Sequence, residues 1–218
     1  MNSINYFKLD VRLMNKSLRY YVMLPFVAVM MFLSNSPTVG IGYMFFLLVI
    51  MVTYPFSITS NEKCEKMYYM FPSKISSMVL GRYLYLISLM IIVWIINGSV
   101  IAYYYNIGKI DTLEVGAMCL TGTLATIICF LQYPMYYKFG VEKGRMLSML
   151  LYMMPAFLVF FLPSLLSSSS FIIEKLNNIL DFAMSSKITI IILSLLIISI
   201  VGIISYLISF FICKNKEI

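Results

Sequence analysis

Residues 61–84 read NEKCEKMYYMFPSKISSMVLGRYL and interrupt a chain that is otherwise mostly apolar. Charge crowds the first six positions as Glu62, Lys63, Glu65 and Lys66. Phe71, Pro72 and Ser73 follow, and then a second basic helix start. On either side lie long, nearly unbroken apolar runs, about 39–59 and 79–105. About 18–20 such residues suffice to cross ~30 Å of hydrocarbon as a helix. A charged segment joining two runs of that kind has to lie at a membrane surface. The number of runs, and the side on which each connection falls, decide what it can touch.

The chain is 61% hydrophobic and 11% charged, where a soluble domain carries roughly 25% charged residues. Its 218 residues leave room for one bundle and none for a separate catalytic module. Six runs are expected to span, at about 18–34, 39–59, 79–105, 113–136, 146–166 and 188–213. Helices are the expected form, because a segment in lipid must satisfy its own backbone and the alternation of a barrel strand is absent. The fold class expected is therefore an all-α integral membrane protein. A segment 1–17 precedes its six-span domain 18–213, and a short tail 214–218 follows. The first run resembles a signal-peptide core ending at Ser34-Asn35-Ser36. A 17-residue basic segment before it and Pro37 directly after it favour a retained span.

Six spans put both termini on one side. That side would hold Lys8, Arg12, Lys16, Arg19, Lys63, Lys66, Lys74, Arg82, Lys138, Lys143, Arg145, Lys214 and Lys216, thirteen of the sixteen basic residues. Lys109, Lys175 and Lys187 would fall opposite. The positive-inside rule makes the crowded side cytoplasmic and the chain a multi-pass protein of the cell membrane. The net charge of +7 then reflects topology and requires no nucleic-acid partner. Cys64 and Cys213 fall on the cytoplasmic side and Cys119 and Cys129 within a span, so free thiols are expected.

Three connections carry pattern. Ile4, Phe7, Val11, Met14 and Leu18 recur at helical steps beside a basic stripe of Lys8, Arg12, Lys16 and Arg19. This suits either an interfacial helix or plain topogenic charge. In the opening stretch, Thr59 and Glu62 have capping-box spacing, and Glu62 and Lys66 form a favourable pair four apart. Pro72 stops that helix and Ser73 can cap the next. The result is a short amphipathic helix whose Met67, Met70 and Phe71 side could enter a groove in a partner or seal the end of the bundle. The connection 138–145 carries Lys138, Gly140, Glu142, Lys143, Gly144 and Arg145, with glycines that permit tight bends. Outside, a helix lying on the outer surface or a closing loop both suit 167–187.

Enzyme chemistry finds little footing. The chain has no histidine, so His-based zinc sites and Ser-His or Cys-His nucleophiles are excluded, and no metal site is expected. Asp10, Asp111 and Asp181 fall away from mid-span. Every acid is expected in or beside a loop, which argues against a proton- or sodium-coupled carrier. No G-x-x-x-x-G-K-[ST] phosphate loop occurs, so any ATP must be hydrolysed by another chain. The polar residues within spans are Asn97, Thr121, Thr123, Thr126 and Gln132, suited to a pathway or to interhelix hydrogen bonds. Pro55, Pro134, Pro155 and Pro163 can bend helices.

The order "FKLD", "FPSKISSMVLGRYL", "YPMYYKFGVEKGR" and "SYLISFFICKNKEI" resembles, along the whole length, the small six-span permeases of the ABC-2 type. The nearest likeness is to permease subunits of phenol-soluble-modulin and related peptide exporters. Phe71 stands for the family's usual Leu, Lys74 for its Arg and Arg82 for its Lys. The resemblance implies a bacterial permease subunit that moves an amphipathic peptide, antibiotic or lipid-like cargo outward. It would pair with itself or a sister permease and with a dimer of cytoplasmic ABC ATPase subunits. ATP and Mg would be held on that partner and no cofactor on this chain. Residues Glu62, Lys63, Glu65, Lys66, Met67, Met70, Phe71, Pro72 and Lys74 would form the coupling helix in the ATPase cleft. Lys138, Gly140, Glu142, Lys143 and Arg145 would make the second contact. The alternative is a non-transporting scaffold or immunity protein that docks a soluble partner through the same helix.

Overall fold

The computed structural model describes residues 3–14, 26–27, 29–30, 37–59, 74–166 and 187–215. Most of the run expected at 18–34 lies outside them, as do the segment 60–73, the connection 167–186 and the tail beyond 215. The helices are α1 (Ser3–Met14), α2 (Pro37–Val52), α3 (Tyr54–Ile58), α4 (Ile75–Asn106), α5 (Thr112–Leu166) and α6 (Lys187–Lys214), and no strand occurs among the described residues. Four stretches among them are long and apolar enough to cross a membrane: Pro37–Ile58, Ile75–Asn106, Glu114–Met153 and Ile192–Lys214.

Local chemistry sets the breaks between these helices. α2 and α3 are separated at Thr53, whose hydroxyl donates to the Ile50 carbonyl at 2.9 Å, two residues before Pro55. Proline lacks the N–H that would continue the ladder. At its far end, Thr59 closes α3 and donates back to the Pro55 carbonyl at 2.9 Å. The expected capping box pairs Thr59 with Glu62, which lies outside the described residues; the Thr59 hydroxyl proton goes to the helix behind it. The residue flanking the start of α4 is Lys74, in extended backbone, so the helix begins one residue later than a Ser73 cap implies.

α5 cannot be straight. Forty residues, Glu114–Met153, would reach about 60 Å, twice the hydrocarbon thickness. At Gly140 the backbone takes φ 75 and ψ −176, a region open almost only to glycine. The chain reverses there. Gln132 Nε2 donates to Tyr152 Oη at 2.7 Å across twenty residues, and a side chain at Gly144 would lie 3.4 Å from the Tyr136 Cα. Two antiparallel limbs therefore run from this turn.

Helices meet where side chains are small. α4 and α5 touch little directly and are bridged by α2 and α6. Gly122 of α5 faces Phe45 of α2 and Trp94 of α4, whose rings pack edge to face at 5.5 Å. α6 presents Gly202, Ser205 and Ser209 along one face. The ring of Phe130 rests on Gly202. Tyr83 Oη bonds Ser205 Oγ at 2.6 Å and Ser209 Oγ at 2.9 Å, and Ser205 donates on to the Phe130 carbonyl. With apolar lipid outside, close approach and such bonds are what favour helix association.

α1 lies on α4 and touches α3. Its buried face is Tyr6 and Asp10, each 1% exposed, while Ile4 and Val11 of the apolar stripe are exposed. Phe7 of the same stripe is half-buried and packs against the core, so the stripe is divided between the protein and its surroundings. Asp10, expected in or beside a loop, is buried within the helix contact. Contact is backbone to backbone: a Cβ at Gly81 would lie 2.5 Å from Tyr6 Cβ and 2.9 Å from the Ser3 carbonyl oxygen.

Gly81→Ala is expected to dislodge α1, seen as faster hydrogen exchange across residues 3–14 in detergent. Gly42→Ala is the contrast, since nothing lies within 4 Å of its added Cβ. It should leave exchange unchanged and gain up to about 1 kcal/mol from reduced chain entropy.

Candidate functional site

Two regions hold chemistry beyond packing: one end of the bundle and a cavity within it. At the first, the stems of two connections converge. Arg82, eight residues into α4, is only 6% exposed. Its Nη2 donates to Thr59 Oγ1 at 3.0 Å, joining the two described ends of the segment 60–73. The guanidinium lies 4.4 Å from the centre of the Phe56 ring and 5.7 Å from that of Tyr137. Phe56 in turn packs against Tyr133, Tyr136 and Tyr137 at 5.0–5.2 Å. Tyr133 Oη reaches the Arg82 carbonyl at 3.3 Å. Arg145 Nη2 donates to Ser57 Oγ at 3.4 Å, tying the far side of the Gly140 turn to α3.

The magnitudes explain why a charge can stay here. An arginine within a span costs about 2.5–3.5 kcal/mol on insertion scales. One hydrogen bond to a charged group returns about 1.5–3 kcal/mol, and a desolvated cation–π contact about 2 kcal/mol. The partners offset the burial.

Of the expected coupling residues, Glu62 to Pro72 lie outside the described residues, and Lys74 is exposed at the start of α4. Lys138, Glu142, Lys143 and Arg145 are exposed around the half-buried Gly140 turn. This turn, α1, the start of α4 and the end of α6 occupy the same end of the bundle. It carries Lys8, Arg12, Lys74, Arg82, Lys138, Lys143, Arg145 and Lys214. Lys109 marks the opposite end, beside Tyr104.

The cavity, about 700 Å³, lies between α4, α5 and α6, with Met90, Trp94, Phe130, Ile198 and Tyr206 among its walls. Its size is that of a small-molecule site. Thr126 borders it, and the hydroxyl is spent on the Thr123 carbonyl. Thr123 and Thr121 likewise bond carbonyls of their own helix. Asn97 is 1% exposed and its amide has no hydrogen-bond partner among the described residues. Among the described residues, Gln132 alone of the five polar candidates bonds across the bundle, to Tyr152.

Other crossing bonds lie beyond the sequence reading, which treats Arg82 as a topogenic charge and assigns no role to Tyr83, Ser205 or Ser209. Two signals were present: an arginine well inside an apolar run, and small residues spaced at 202, 205 and 209.

Tyr152→Phe should cost about 1–3 kcal/mol by leaving the Gln132 amide buried without its partner. Combining it with Gln132→Leu should restore most of the loss. Thermal exposure of the buried Cys129 thiol to a maleimide dye reads both.

The chain matches no curated protein and no solved structure. A family model described as ABC-2 family transporter protein matches residues 5–214, nearly the whole chain. With apolar membrane-crossing helices and no phosphate-binding loop, the chain belongs to the ABC-2 transporter family as one of its membrane-embedded permeases.

Proposed function

We propose that this permease is the transmembrane half of an ATP-driven exporter, worked by a separate ABC ATPase bound at its basic end. The observation that carries this reading is the meeting of Thr59, Phe56 and Tyr137 on the Arg82 guanidinium, with Arg145, beyond the Gly140 turn, tied separately to Ser57 of α3. A cytoplasmic ATPase pushing on the segment 60–73 would push on this junction. The gathering of basic side chains there suits the cytoplasmic face by the positive-inside rule, with six spans and both termini inside. Residues Glu62, Lys63, Glu65, Lys66, Met67, Met70, Phe71, Pro72 and Lys74 act as the coupling helix. The turn residues Lys138, Gly140, Glu142, Lys143 and Arg145 make the second contact. Residues 1–17 serve as an interfacial helix, with exposed Ile4 and Val11 toward acyl chains and exposed Lys8 and Arg12 toward anionic head groups.

The walls of the cavity favour an apolar or amphipathic cargo. A hydrophilic solute would leave its polar groups unpaired against Trp94, Phe130 and Met90. Two permease chains complete the exporter, as a homodimer or with a sister chain, and ATP and Mg are bound on the ATPase.

Co-purification in detergent with candidate ATPase chains tests the arrangement. The wild type should form a stable complex that Glu62→Lys with Lys66→Glu weakens at least tenfold. No complex with any ABC ATPase, and cargo movement that survives ATP depletion, would favour a scaffold that docks some other soluble partner.

A further inference from the structure

Arg82 touches more of the proposed ATPase-facing end than any topogenic charge needs to. Its side chain bonds Thr59, the last described residue before the segment 60–73, and its backbone lies nine residues past that segment. It covers Phe56 of α3 and reaches Tyr137, the last residue before the 138–145 connection. The Arg82 carbonyl accepts from Tyr133 Oη, which also approaches the Val52 carbonyl at 3.5 Å. The preceding residue, Gly81, is the seat of α1. Three elements that are distant in sequence thus rest on two consecutive residues of α4.

Each contact uses a property particular to arginine. A planar guanidinium donates at its edge while its face covers a ring. A lysine ammonium has three donors but no planar face, so it cannot cover a ring while an edge donates in a fixed direction. Thr59 is held in place by its own bond to the Pro55 carbonyl, so the acceptor does not follow a moving donor freely.

We propose that Arg82 is a positioning residue that locks the stems of both connections and the seat of α1 into one rigid unit. A displacement imposed on the segment 60–73 then reaches the 138–145 turn and α1 together. This role rests on the exporter reading above and adds to it a named element of transmission.

The test uses spin labels in the full permease with its ATPase in lipid nanodiscs, the native cysteines having been replaced. Labels at Ile75 and Met146 report the two stems, and labels at Ile4 and Met146 report α1. All three positions are exposed and lie outside the expected ATPase contacts. The wild type should give narrow distance distributions that shift on ATP binding. In Arg82→Lys, which keeps the charge, both distributions should broaden and the ATP-dependent shift should vanish, while the complex and its ATP binding persist. Phe56→Leu, which removes the ring under the guanidinium, should reproduce the loss in part and covers the case of a poorly folding Arg82 variant. Narrow distributions and an intact shift in Arg82→Lys or Phe56→Leu overturn the proposal. So does a wild type whose distances ignore ATP that it demonstrably hydrolyses. The absence of any ATPase complex in the wild type defeats the exporter reading itself, and this role with it.

Discussion

A buried guanidinium has to be given partners by its surroundings, because it cannot shed its proton. Arg82, eight residues into α4, is only 6% exposed, and the cost of holding a charge there must be offset locally. Thr59 supplies an oxygen and Phe56 a ring face, which fixes where α3 ends relative to α4. The aromatic residues on the first limb of α5 then pack around Phe56. The organisation of the basic end follows from that single requirement. The kink at Thr53 and Pro55 contributes by turning α3 toward the charge.

Farther into the bundle the constraint changes character. No bulk water competes for polar groups there, so helices adhere through close approach and a few hydroxyl bonds. Gly122 admits Phe45 and Trp94, Gly202 admits Phe130, and Ser205 and Ser209 receive the hydroxyl of Tyr83. These contacts hold α6 to α4 and α5 while leaving an apolar volume between them. A bundle fastened at its margins and open between them suits a chain whose family moves cargo across membranes.

Much of this architecture was legible in the sequence, because lipid imposes simple rules. Length and hydropathy identify membrane-crossing helices. Gly140 announced a bend whose sharpness only the Gln132–Tyr152 contact reveals. Helical periodicity on α1 marks an apolar face without saying what that face meets. The protein buries Tyr6 and Asp10, half-buries Phe7 and leaves Ile4 and Val11 outside. Capping rules at Thr59 did not announce its tertiary partner, Arg82, which donates to the hydroxyl. Interhelix bonds depend on which faces meet, a relation that spacing along one helix does not encode. Tyr83 and Ser205 lie more than a hundred residues apart.

The close seat of α1 on Gly81 also constrains the order of assembly. Synthesis runs from the N-terminal side, at about 5–20 residues per second. Roughly seventy residues separate Asp10 from its seat, so α1 emerges several seconds before α4 exists to receive it. During that interval a buried-to-be carboxylate and a tyrosine must wait in contact with water or head groups. An amphipathic helix resting on the bilayer surface can wait in this way without aggregating. If α1 waits in this way, Ile4 and Val11, which stay exposed once Tyr6 and Asp10 are seated, are the side chains free to rest on the bilayer.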